Sequence, residues 1–173
     1  ETPVVAARLV SSSATSSRRY ATLAAGQMHG VAVGQPVRTE DGLVGRVIQV
    51  GQISSRVLLI IDGKHSVPAK RASDNIPADI VGTGDGRLVV RSLSAGENPF
   101  KPGDVFVTSG VGGIYRPGIP VARVNRKTNI ATYARPIADP AAYDFARVEL
   151  PFVAPPPLPK AEAEAAEAEA RAE

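Results

Sequence analysis

Residues 105–124 constrain this chain more than any other stretch. Val105-Phe106-Val107-Thr108 sets β-branched residues around an aromatic, glycines follow at 110, 112 and 113, and Pro117-Gly118 and Pro120 introduce Val121-Ala122-Arg123-Val124. β-branched and aromatic side chains suit a pleated sheet, and Gly and Pro set the backbone of turns, so the pattern is strand, glycine-rich turn, strand. An echo lies about seventy residues earlier, where Gly34-Gln35-Pro36-Val37 passes through Asp41-Gly42 into Leu43-Val44-Gly45-Arg46-Val47. Two related β-units follow, with turns set by Gly42, Gly45, Gly110, Gly112, Gly113 and Gly118. The fold class this predicts is all-β.

The rest of the chain agrees with short strands. Fifteen Pro and sixteen Gly fall between apolar runs, while four Phe, four Tyr and no Trp leave the cores to aliphatic side chains. Asp41-Gly42 marks a hairpin, Gly84-Asp85-Gly86 marks another, and Asp139-Pro140 starts a turn with room for one helical turn after it. Residues 56–61 form a continuous apolar run suited to a strand covered on both faces, and Pro68, which has no N–H to donate, suits an edge strand. The serine run 11–17 reads as a loop or as a short helix capped by a hydroxyl, and its polarity favours the loop.

These readings divide the chain into a lead-in with the first strands at 1–25, a first β-unit at 26–98, and a second at 99–152 with room to take in N-terminal strands. Residues 153–173 are a Pro-rich linker and an Ala/Glu tail. The tail, 160–173, holds five acidic and two basic residues, so the preceding 159 carry net +6. It offers only Ala methyls to a core, and its removal is expected to leave the melting temperature nearly unchanged. The absence of an initiator Met reads as a processed or excised product, with space upstream for a membrane anchor.

No catalytic constellation survives inspection. Asp62, His65 and Ser66 are the residue types of a hydrolase triad, but they lie within one turn, whereas triads are assembled from distant segments. His29 has no second ligand at metal spacing, and residues 82–86 precede a β-pattern instead of the helix that a phosphate loop requires. Thr108 and Ser109 have no base beside them, and the absence of cysteine removes thiolate chemistry and disulfides. No cofactor or metal is therefore expected. The basic residues are scattered singly instead of clustering with aromatics, which argues against nucleic acid.

What remains is a binding surface. Ile114, Tyr115 and Arg116 follow the glycines, and together with Phe106 and Tyr133 they are the candidate partner-binding residues, since Tyr and Arg are enriched at binding hot spots. Two placements of Tyr115 fit the sequence equally: projection from a hairpin rim, or closure of a barrel end. The weakly charged run 56–61 suggests self-association through exposed β-edges unless that strand is central or paired.

The segments 34–37, 41–47, 56–62, 103–110 and 118–124, in that order, resemble the periplasmic region of the bacterial rod shape-determining MreC family over roughly residues 6–148. Arg116 before Pro117 and Ala122 in place of a common Gly depart from the family's usual pattern. The resemblance implies two small six-stranded β-barrels preceded by the end of a coiled coil, in a single-pass inner-membrane protein whose anchor lies upstream. It further implies a non-enzymatic scaffold of the elongasome that regulates cell shape in lateral wall synthesis. Such a scaffold self-associates, binds and activates a class B penicillin-binding transpeptidase, and works with MreB, MreD, RodA and RodZ. The competing reading is a small β-barrel module for polysaccharide or single-stranded nucleic acid, which requires aromatics stacked along an exposed strand.

Overall fold

The computed structural model describes residues 5–11 and 19–153. The serine run beyond Ser11 and the linker and acidic tail beyond Val153 lie outside these residues. Twelve strands follow in order: β1 Val5–Ser11, β2 Tyr20–Leu23, β3 Pro36–Arg38, β4 Leu43–Val50, β5 Ser55–Leu59, β6 Ser66–Arg71, β7 Pro77–Gly82, β8 Leu88–Ser92, β9 Val105–Thr108, β10 Pro120–Lys127, β11 Thr132–Pro136 and β12 Phe145–Val148. Short 3-10 turns at Gln27–His29 and Pro140–Ala142 complete the described secondary structure. Among the described residues no helix is long and apolar enough to cross a membrane.

The strands close into two six-stranded barrels, ordered β1-β12-β3-β4-β5-β2 and β10-β11-β8-β7-β6-β9. Burial alternates with the pleat in β6, β7, β9 and β12, so one face of each fills a barrel and the other meets solvent. The expected hairpins are present. Thr39 N–H donates to Gly42 O at 2.9 Å between β3 and β4, and Thr83 N–H donates to Arg87 O at 3.1 Å between β7 and β8.

The boundary between the units differs from the sequence reading. Strands β6, β7 and β8 belong to the second barrel, so the loop with Pro99, Pro102 and Gly103 connects strands within that barrel and does not separate the units. The chain crosses between barrels at residues 60–65 and returns at 137–144, after which β12 pairs with β1 (Ala7↔Ala146) and β3 (Val37↔Val148). A Pro/Gly-rich loop marks a turn but not which sheet each flank joins, and β12's partners lie more than a hundred residues away in sequence.

Closure also changes two strand assignments. β5 lies between β2 and β4, so the run expected to offer an exposed edge is central, and the edge route to self-association is overturned. β6 is likewise an interior strand. Pro68 is tolerated there because its pairing with β9 begins only at Ala69↔Thr108, while Pro68 O accepts from Ser109 N–H at 3.1 Å.

Each barrel has its own core. Phe100 and Phe106 meet edge to face at 4.8 Å inside the second, and Leu23, Val37, Val44, Val47 and Val57 fill the first. Leu43 and Ile60, from the first barrel's side of the chain, pack into the second core, and Ile61 borders both. At Gly42 a Cβ would stand 2.4 Å from Pro120 O, so only glycine lets the two barrels approach this closely.

Candidate functional site

The seam between the barrels brings together most of the residues singled out in sequence, in a structural arrangement. Asp62 ends the β5 run and is fully buried; its carboxylate accepts backbone N–H groups from Arg19 at 2.7 Å and Lys64 at 2.8 Å. His65, at the far end of the same turn, is buried with Nδ1 at 3.1 Å from Leu59 O. A carbonyl only accepts, so Nδ1 carries the proton and Nε2 accepts the Tyr115 hydroxyl at 2.7 Å. Burial, with the Arg46 cation adding to it against partial support from Leu59 O, lowers His65 from 6.5 to about 4. The same burial raises the Tyr115 phenol above its ordinary range. Ser66 is exposed, and the His65 ring nitrogens meet Leu59 O and the Tyr115 hydroxyl instead of Ser66. Asp62 and His65 are therefore braces of the seam.

Tyr115, which sequence placed on a rim or at a barrel end, takes the second position: it is 4% exposed. The glycine-rich loop carrying it is fastened at several points. Thr108 Oγ1 donates to Arg116 O at 2.5 Å and accepts from Ile119 N–H at 2.9 Å, and Ile114 O accepts from Phe152 N–H at 3.1 Å. Gly110, Gly112, Gly113 and Gly118 all have positive φ, as turn residues should, but Gly45 lies inside β4, where a Cβ would come within 2.1 Å of Leu58 O. It is a packing glycine and not a turn.

Of the other candidate partner-binding residues, Phe106 is wholly inside the second barrel, Ile114 is half-buried against its core, and Arg116 is exposed. Tyr133 is half-buried on the outside of β11, with Arg87 at 5.1 Å and Arg126 at 6.0 Å from its ring centre. Phe106 and Tyr115 cannot reach a partner without unpacking, which corrects their assignment. Burial of Phe100, Phe106 and Tyr115 also removes the aromatic ladder that glycan or single-strand stacking would use.

Sequence reasoning missed the apolar surface that is exposed. On the glycine-rich loop it is Val111, 70% exposed, and not Tyr115. At the first barrel's end, Gln27 N–H donates to Gly51 O and Met28 N–H to Gln52 O, which fixes the 3-10 turn against the β4–β5 connection. That brings Met28, 73% exposed, beside the segment carrying Ile53, 69% exposed, with exposed Val33 in the loop that follows the turn. His29, also in this turn, accepts the Gly26 N–H at 3.0 Å, a capping role. The available signal was an apolar residue at each loop position where turn chemistry alone would favour a polar one.

Closed tandem barrels, with ionisable groups committed to holding a seam and aliphatic side chains left in water, define a β-barrel module that presents surfaces. The chain belongs to the MreC family: the model of the rod shape-determining protein MreC barrel core matches residues 9–154. It is 36% identical over 148 residues to the cell shape-determining protein MreC of Caulobacter vibrioides, covering 86% of this chain and 42% of that one. It spans less than half the length of the curated relatives it matches. The crystal structure of MreC from Pseudomonas aeruginosa superposes with a TM-score of 0.78 at 30% identity, covering 84% of this chain and 98% of that one. The MreC fold in a complex between Penicillin-Binding Protein (PBP2) and MreC from Helicobacter pylori superposes at 0.57 and 14% identity, covering 86% and 99%, a likeness of fold.

Proposed function

We propose that this chain is the barrel region of a non-enzymatic periplasmic scaffold of the elongasome, which self-associates and binds and activates a class B penicillin-binding transpeptidase. The observation that carries the reading is membership of a cell shape-determining family together with solvent-exposed Met28, Val33 and Ile53 on a rigid barrel end. Large aliphatic side chains left in water at one end of a barrel gain little there, and we take them as the contact. The solved complex of a protein of the same fold with a penicillin-binding protein supports the choice of partner. In the proposed arrangement an inner-membrane anchor lies upstream, and the assembly includes MreB, MreD, RodA and RodZ. Ile114, Arg116 and Tyr133 keep accessible surface and remain candidate contacts, whereas Phe106 and Tyr115 do not. The test is sedimentation of the purified transpeptidase ectodomain with this chain: co-migration is expected, and separate migration at high concentration of both would contradict it.

A further inference from the structure

The end of the second barrel that faces away from the seam carries an apolar residue where turn chemistry gives no reason for one. β10 starts at Pro120, against Gly42, and its eight residues, rising about 3.3 Å each, carry the chain roughly 23 Å from the seam. There it turns through residues 128–131 into β11. The turn is fixed from within: Thr128 N–H donates to Ala131 O at 2.9 Å, and Thr128 Oγ1 accepts from Ile130 N–H at 3.2 Å and Ala131 N–H at 3.1 Å. Its base is fixed from beside, since Lys127 Nζ donates to Asn98 O at 2.7 Å and Asn98 Nδ2 to Thr132 Oγ1 at 2.8 Å. At the apex stands Ile130, 94% exposed. Gly, Asn, Asp and Ser suit such positions because they free the backbone or bond to it; an isoleucine does neither and leaves its aliphatic surface in water. Leu93, the first residue after β8, is exposed at the same end, where β8 pairs with β11 through Val90↔Thr132.

The hairpin behind this tip is cationic throughout. Residues 120–136 hold Arg123, Arg126, Lys127 and Arg135 and no carboxylate. All four are exposed, and none forms an ion pair among the described residues. Strand pairing sets Arg123 directly opposite Arg135 and Arg126 opposite Tyr133, an arrangement of like charges that costs stability in water. The acids of the neighbouring elements are few. Asp74 and Asp104 both pair with Arg71, at 2.7 and 2.9 Å, Asp79 stands opposite Arg91, and Glu97 is exposed beside the base of the turn. A wall of unpaired cations therefore ends in an aliphatic tip.

We propose that the β10–β11 hairpin is a docking tip for an anionic phospholipid bilayer, with Ile130 and Leu93 entering the interface and Arg123, Arg126, Lys127 and Arg135 taking headgroup phosphates. The two halves of the pattern select this partner together. A soluble polyanion would match the cations but leave Ile130 in water, and a protein pocket that takes Ile130 has no need of four cations behind it. A bilayer surface offers apolar depth and anionic charge within one Debye length of each other. The arginine stems add apolar surface while their guanidinium groups stay at the headgroups. This inference is independent of the transpeptidase reading, which uses Met28, Val33 and Ile53 of the first barrel.

The test is co-sedimentation of the full chain with vesicles of phosphatidylglycerol and phosphatidylethanolamine, beside vesicles of phosphatidylcholine alone. Binding to the anionic vesicles is expected, with little to the neutral ones and a decline as salt is raised. Ile130→Asn, which gives the apex a residue that turns favour, should weaken binding about tenfold and leave the melting temperature unchanged or higher. Arg123→Gln with Arg126→Gln should weaken it by about tenfold or more. The chain has no cysteine, so Asn129→Cys carries a single environment-sensitive dye at the tip, and its emission should shift to the blue on the anionic vesicles. Absence of binding at low salt, or equal binding to both kinds of vesicle, would overturn the proposal. Binding that falls with the arginine substitutions but not with Ile130→Asn, and that heparin reproduces, would overturn the bilayer as occupant in favour of any polyanion. An Ile130→Asn effect on transpeptidase affinity without vesicle binding would assign the tip to a protein and overturn it equally.

Discussion

His65 and Tyr115 show how a residue's role depends on what it faces. With its pKa lowered to about 4 by burial, His65 stays neutral in the folded protein over a range where the unfolded chain, near 6.5, takes up a proton. The folded-state value lies below the unfolded one, so this contribution to stability is complete above pH 6.5 and declines as pH falls toward 4. The full decline is on the order of 3 kcal/mol. Urea unfolding at intervals across that range should show it, and His65→Gln should remove most of the slope. Tyr115→Phe keeps the ring but leaves His65 Nε2 without its donor, at a cost of about 1 to 3 kcal/mol in thermal or chemical unfolding. The sequence suggests a solvated turn at Asp62, His65 and Ser66, but Asp62 and His65 are buried, and the His65–Tyr115 contact was not legible because it joins positions fifty apart through the fold. Val111, between two glycines, was legible as a loop residue and was passed over because the neighbouring Tyr115 carried more apolar area.

Among elements, what was legible was local. The Asp41-Gly42 and Gly84-Asp85-Gly86 hairpins, the turn at Pro140 and the strand at 55–59 follow from turn chemistry and from a continuous apolar run, which act within a few residues. The return of β12 to β1 and β3 was not legible, since pairing partners in a closed sheet are chosen by which edge is left open and not by local composition. Gly42 illustrates the difference: it reads as a hairpin glycine, and it also lets the barrels touch. Gly42→Ala should cost about 1 to 3 kcal/mol because the added methyl overpacks against a backbone carbonyl. Gly112→Ala, with open space but positive φ, should cost about 1 kcal/mol. Parallel melts of the two variants would check the order; equal losses would place the strain in the backbone and not in the seam.

For the whole molecule, the interleaved chain path makes the first barrel depend on its last strand. Removing residues 145–153 deletes β12 and opens that barrel, while β6 to β11 are complete without it. Hydrogen exchange should then show loss of protection in β1 to β5 and retention in β6 to β11, whereas removing only 160–173 should leave both protected. The two-barrel architecture was legible through family resemblance, but the binding surface was not, because exposure is a property of the closed fold. In the proposed function this fold is a scaffold that contacts a transpeptidase through its exposed aliphatic barrel end. Titration of the purified class B transpeptidase ectodomain with wild-type chain, with Met28→Ser/Ile53→Ser and with Tyr115→Phe tests it most directly. The double substitution should weaken binding by about 1 to 3 kcal/mol, roughly ten- to hundredfold, with an unchanged melting temperature, and Tyr115→Phe should leave affinity intact while lowering stability. Full affinity in the double variant, or loss of affinity in a folded Tyr115→Phe, would contradict the account.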